Sequence, residues 1–65
     1  MKLNSKRLFV AMADACLTTN ELAEKAGISR ASINKFVKGT AFPKAITLGK
    51  LSKALGIPVE NLIEN

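Results

Sequence analysis

Apolar residues recur in short helical blocks, each closed by glycine, proline or a capping residue. Leu8, Ala11, Met12 and Ala15 follow the i, i+3, i+4, i+7 spacing of one buried stripe, which predicts a helix over residues 6–15 capped by Asn4 or Ser5. Phe9 and Val10 fall outside that stripe. Either Phe9 reaches the rim of the core and Val10 is simply exposed, or the pair forms a partner surface. Residues 19–26 are predicted as a second helix: Thr18 and Glu21 have capping-box spacing, and Leu17 and Leu22 can form a hydrophobic staple. Ala23 lets a neighbouring helix cross closely, and Gly27 suits the left-handed residue at the helix end. Ser29 is a preferred N-cap for a third helix over residues 30–38, which Gly39 stops. Phe42 is expected to plug the core beneath the following loop, and Pro43 prevents the third helix from continuing. Leu48, Leu51 and Leu55 predict a fourth helix over residues 45–55, with Ile46 pointing away from that stripe and Lys44 a poor N-cap. Gly56 ends it, and Pro58 opens a short fifth helix over residues 59–63, where Val59 and Leu62 close the core. Residues 1–4 are expected to be a short, mobile basic arm.

The second and third helices, joined by a short turn, have the layout of a unit that lays one helix in the major groove of DNA. At about 100° per residue, Ile33, Phe36 and Val37 share one face of the third helix. Ala31, Asn34, Lys35 and Lys38 lie opposite, with Arg30 at the leading end. The plain alternative is a solvated charged face. Against it stand the short turn, which fixes the crossing of the two helices, and the absence of any acid among the outward residues.

Charge strengthens this reading. The 65-residue chain carries a formal +5, and its pI of about 9.8 favours polyanionic partners. Every charge from residue 25 to residue 59 is positive: Lys25, Arg30, Lys35, Lys38, Lys44, Lys50 and Lys53. Lys50 and Lys53 are expected to be more remote from the reading surface. The length fits one domain, residues 1–65, whose small core makes caps and packing weigh heavily. An apolar content of 48% is too high for a disordered tail.

Other chemistry finds little support. There is no histidine, and the lone Cys16 cannot build a zinc site or an internal disulfide. Cys16 reads as a small core or interface residue, which suits a reducing cytoplasm. The carboxylates lack metal-loop spacing, and no glycine-rich phosphate loop is present. An enzyme, a cofactor and a small-molecule ligand are therefore not expected. No run of eighteen apolar residues exists, so no membrane span is expected. Asp14 interrupts the apolar stretch after Arg7, and no cleavage site follows it, which argues against a cleavable leader.

Leu17, Thr18, Glu21-Leu22-Ala23, Gly27-Ile28-Ser29, Ile33, Gly39, Pro43, Leu48, Leu51 and Ala54-Leu55-Gly56 together resemble the lambda-repressor-like, Cro-type helix-turn-helix family. Each piece is weakly specific, but their order and spacing carry the match over about residues 8–63. The resemblance implies an all-α, compact five-helix bundle whose third helix reads base edges. It places Arg30, Ala31, Asn34 and Lys35 at base-contacting sites, and Thr19, Ser29, Ser32, Lys38, Thr40 and Lys44 at DNA-backbone sites. The family often has Gln where this chain has Thr19, so that phosphate contact is shorter or lost. Many members pair an Arg in the first helix with a Glu late in the third; Met12 and Val37 stand there, so an apolar contact between them is expected. The function implied is a sequence-specific regulator of transcription on double-stranded DNA, a repressor of phage or mobile-element type. A homodimer would use Phe9, Val10, Ile46, Ile57 or Ile63, or form only on DNA, with the C-terminal region of Ile57, Val59 and Ile63 favoured. The rival reading is a protein-interaction module, such as the DNA-binding half of an antitoxin or a partner-dependent regulator, whose essential surface is apolar.

Overall fold

The computed structural model describes residues 2–64. Four α-helices carry the chain: α1 Ser5–Asp14, α2 Thr19–Ala26, α3 Arg30–Lys38 and α4 Ala45–Leu55. A two-residue strand precedes them, β1 Lys2–Leu3, and a second, β2 Ile63–Glu64, follows a 3-10 turn at Val59–Asn61. β1 and the four helices each contribute a fully buried side chain to one core, Leu3, Leu8, Leu22, Ile33 and Leu51, and Leu62 joins them between the 3-10 turn and β2. Among the described residues Ser52 is the buried polar one, and its hydroxyl donates to the Gly49 carbonyl at 2.9 Å, so it costs little. Among the described residues no helix is long and apolar enough to cross a membrane.

Local chemistry fixes the helix ends. Asn4 caps α1, its side-chain oxygen accepting from the Arg7 amide at 2.9 Å. At Thr18 both halves of the capping box form: Glu21 N–H donates to the Thr18 hydroxyl at 3.1 Å, and Thr18 N–H donates to the Glu21 carboxylate at 2.9 Å. Gly39 ends α3 with φ of 78°, a left-handed conformation that a side chain would strain. Met12 is buried and Val37 half-buried against the same core, with their charged counterparts absent. The α1–α3 packing is also tied by a polar link, the Ser5 hydroxyl donating to the Phe36 carbonyl at 2.9 Å.

Both ends of the chain depart from expectation. Leu3 is 1% exposed and Lys2–Leu3 pairs antiparallel with Ile63–Glu64, so residues 2–3 of the basic arm are part of the fold; Met1 lies outside the described residues. The fifth helix is replaced by the 3-10 turn and β2. So short a segment gains almost no i to i−4 bonds, whereas an extended end gains ladder bonds and covers Leu3. The Asn4 amide donates to Leu62 O at 2.7 Å, and Arg7 Nη1 donates to Ile63 O at 3.0 Å, closing the seam.

Three side-chain expectations also change. Ala15 is exposed because α1 stops at Asp14. Cys16 is exposed, not a core residue, and sits at φ of 57° in the turn that follows. Phe42 does not plug the core: it is 50% exposed, with Lys2 Nζ 4.7 Å from its ring centroid. Its neighbour Ala41 turns inward instead, as the loop alternates between core and solvent.

Candidate nucleic-acid interface

The outer face of α3 is built from its first residue onward. Ser29 Oγ accepts from the Ser32 amide at 3.2 Å, which starts the helix after only Ile28 and Ser29 have followed the Gly27 cap of α2. Ile33 and Phe36 anchor the inner face in the core. Arg30, Ala31, Asn34, Lys35 and Lys38 are consequently all exposed, and the helical repeat puts them on one side. The sequence-predicted base-reading residues are thus brought together on a surface with no acid. Lys35 and Lys38 occupy the last turn of α3, where cations also complement the helix dipole.

The predicted backbone-contacting residues divide. Ser32 is half-buried; its oxygen accepts from the Ser29 hydroxyl at 2.9 Å, which leaves the Ser32 proton free to donate outward. The Ser29 hydroxyl is committed at both its proton and its lone pair, so it serves as a cap. The Thr40 hydroxyl donates to Lys35 O at 3.3 Å, so it also closes the end of α3. Thr19 is half-buried at the first position of α2, where amides lack intrahelical acceptors. Lys44 is exposed at the N-cap of α4 and makes no capping hydrogen bond there. Lys50 and Lys53 gather with Lys25 around a separate shallow pocket of about 260 Å³. Of the dimer candidates, Ile57, Val59 and Ile63 are each half-buried against the core.

One residue escapes a reading by position. Asn20, exposed in the first turn of α2, accepts from Arg30 Nη1 at 3.3 Å. The contact sets the start of α2 beside the start of α3 and restrains the guanidinium. No sequence pattern marks it, because the partner lies ten residues away on another helix.

Glu21 supports this geometry from behind. Its carboxyl is held below the ordinary 4.5 by the Thr18 amide first and the Thr18 hydroxyl second, so it stays ionised and keeps α2 capped.

Residues 17–62 match the profile of a family described as helix-turn-helix. Two curated relatives, both from Bacillus subtilis, align over 48 residues, or 72% of this chain. One is the uncharacterized HTH-type transcriptional regulator RghRB, 46% identical, and the other the HTH-type transcriptional repressor RghR, 44% identical. The aligned stretch spans only 34% and 36% of their lengths. In fold, the chain is similar to the restriction-modification controller protein C.AhdI from Aeromonas hydrophila. That match has a TM-score of 0.86 and 24% identity, covering 91% of this chain and 89% of the other. A fold likeness at that identity speaks to architecture, and the family profile covers most of the chain. On that coverage, the chain belongs to the helix-turn-helix family.

Proposed function

We propose that this chain is a sequence-specific, double-stranded DNA-binding regulator of transcription, acting as a repressor, that reads the major groove with residues 29–38. One observation carries the reading: an acid-free, cationic face on α3, set rigidly by a three-residue turn and an inner face locked in the core. Arg30 offers a planar fork for guanine O6 and N7, Asn34 and Lys35 reach neighbouring base edges, and Ala31 meets a thymine methyl. Ser32, Lys38 and the first amides of α2 near Thr19 hold phosphates and set register. Ser29 and Thr40 act by shaping the two ends of α3, and Lys44 adds positive potential beside it. The relative named as a repressor supports the direction of regulation.

The test selects bound sites from random duplex DNA, then measures affinity for the selected site at two salt concentrations. Arg30→Ala should cost about 1–3 kcal/mol and relax preference at one base pair. Lys38→Ala should weaken all sequences alike and flatten the salt dependence by about one unit. Unchanged affinity and preference in Arg30→Ala would refute the assignment.

A further inference from the structure

A second cationic cluster lies off the α3 face. α2 and α4 pack against each other, and beside that seam Lys25, Lys50 and Lys53 surround an open pocket of about 260 Å³. The three lysines are exposed, while Ala26 and Ala54 are buried and floor the pocket between them. No residue of α3 lines it, and no acid does. Glu24, next to Lys25, is not part of its wall, and the Glu21 carboxylate, one turn earlier, is taken by the Thr18 amide at 2.9 Å. Lys50 and Lys53 stand three residues apart on one helix, about 5–6 Å between Cβ atoms, a like-charge pair that destabilises α4. Lys25 and Lys53 occupy the last turns of α2 and α4 and complement those dipoles, but Lys50 precedes the last turn, where the dipole offers it nothing.

We infer that this pocket binds a small oligophosphate anion, free or as the tail of a nucleotide, at a site separate from α3. Three ammonium groups rise from two helices around one concave space, and each carries three donors on a flexible stem. Phosphate oxygens accept from Lys25 on α2 and from Lys50 and Lys53 on α4, so the ligand bridges the two helices and cancels the Lys50–Lys53 repulsion. Size selects a small ligand: the pocket falls below the range of about 300–1,000 Å³ that encloses a drug-sized molecule. Chemistry selects the phosphate chain, because no aromatic side chain lines the pocket to stack a base. A duplex fits less well. Each of its strands carries one charge per about 3.4 Å along a convex edge, whereas a triphosphate places all its charge in one cup. Because the lysines are exposed, water and salt screen them, and the dissociation constant is on the order of 1 mM at low ionic strength. The inference goes beyond the DNA reading and does not rest on it.

Amide NMR on the full chain, titrated with sodium tripolyphosphate at about 50 mM salt, where screening is mild, tests the site residue by residue. The amides of Lys25, Ala26, Lys50, Lys53 and Ala54 should shift together and saturate. Lys50→Ala should weaken binding at this cluster about two- to fivefold, and the charge reversal Lys50→Glu about tenfold or more, while Lys50→Arg matches the wild type. Lys50 is exposed inside a helix, and Ala, Glu and Arg are all good helix formers, so unfolding cannot mimic the loss. ATP should bind within about threefold of tripolyphosphate, and adenosine should shift nothing, since the phosphate chain alone is recognised. Shifts confined to α3, shifts that never saturate, or a Lys50→Glu variant that binds like the wild type overturn the proposal. A strong preference for ATP over tripolyphosphate overturns the assigned ligand class. A parallel titration with the selected duplex should move the α3 amides and spare Lys50 and Lys53; if it moves both sets alike, the cluster belongs to the DNA footprint and the separate site is refuted. Arg30→Ala should leave the tripolyphosphate titration of this cluster unchanged, so failure here is distinct from failure of the DNA assignment.

Discussion

Truncating Leu3 to alanine probes whether the first residues belong to the core. The side chain is 1% exposed, on a strand held by the Asn4 amide bond to Leu62 O at 2.7 Å. Leu→Ala removes three carbons, worth about 0.8 kcal/mol each in transfer free energy, before any term for the void left behind. The chain end is free to settle partly into that void, which limits the extra cost, so the loss should be about 2–4 kcal/mol. A chain of 65 residues has a total stability of only about 3–10 kcal/mol. The variant should therefore melt roughly 10–30 °C below the wild type by circular dichroism, with a matching fall in urea midpoint. Lys2→Ala is the control: it loses only the ammonium over Phe42, about 0.5–1 kcal/mol at an exposed site. If Leu3→Ala melts within two or three degrees of the wild type while Lys2→Ala does the same, β1 is a loose arm and its burial contributes nothing.

Three further outcomes follow from the caps and the α2–α3 junction. Because the Glu21 carboxyl is held below 4.5 by Thr18, its contribution is complete above that pH and is lost as the pH falls through the lower folded value. Glu21→Gln can still accept from the Thr18 amide but cannot titrate, so acid unfolding followed from pH 6 to 2 should be less steep; an unchanged profile would refute the linkage. Gly39→Ala should destabilise more than Gly27→Ala in urea titrations. Both impose a side chain at positive φ, about 1–2 kcal/mol less any gain from a stiffer unfolded chain, but only at Gly39 does the new Cβ meet Ser5 Oγ, at 3.1 Å. Equal losses would mean that Ser5 gives way freely. Asn20→Ala should leave the melting temperature within about 2 °C, since an exposed hydrogen bond contributes little, yet reduce discrimination at the base pair proposed for Arg30. Unaltered base preference would show that the guanidinium needs no restraint.

The helix-turn-helix was legible because its signals are local. Thr18 with Glu21, Ser29, Gly27 and Gly39 act within one turn of themselves, so their spacing reports their structure directly. The outward face of α3 followed from helical periodicity once those ends were set. Some misreadings are local, as with Ala15 and Cys16 where α1 stops at Asp14, but others involve partners distant along the chain or the course of a loop. Leu3 gains its burial from Ile63 and Leu62, some sixty residues on, and a two-residue strand has no period of its own. Phe42 has the composition of a core residue, but its loop offers only alternate positions inward, and Ala41 takes one of them. Asn20 looks like ordinary helix surface until α3 is set beside it.

Pairing of Lys2 with Glu64 sets the first and last described residues one inter-strand spacing apart, about 5 Å. The described backbone, residues 2–64, is thus close to a ring. A linker of a few residues would join the ends, and fresh termini could be opened in the exposed loop around Phe42 without cutting the capped turn between α2 and α3. By the same geometry the whole unit can be spliced into a surface loop of a host protein, entering and leaving at neighbouring points. A cassette of that kind would need little spacer on either side.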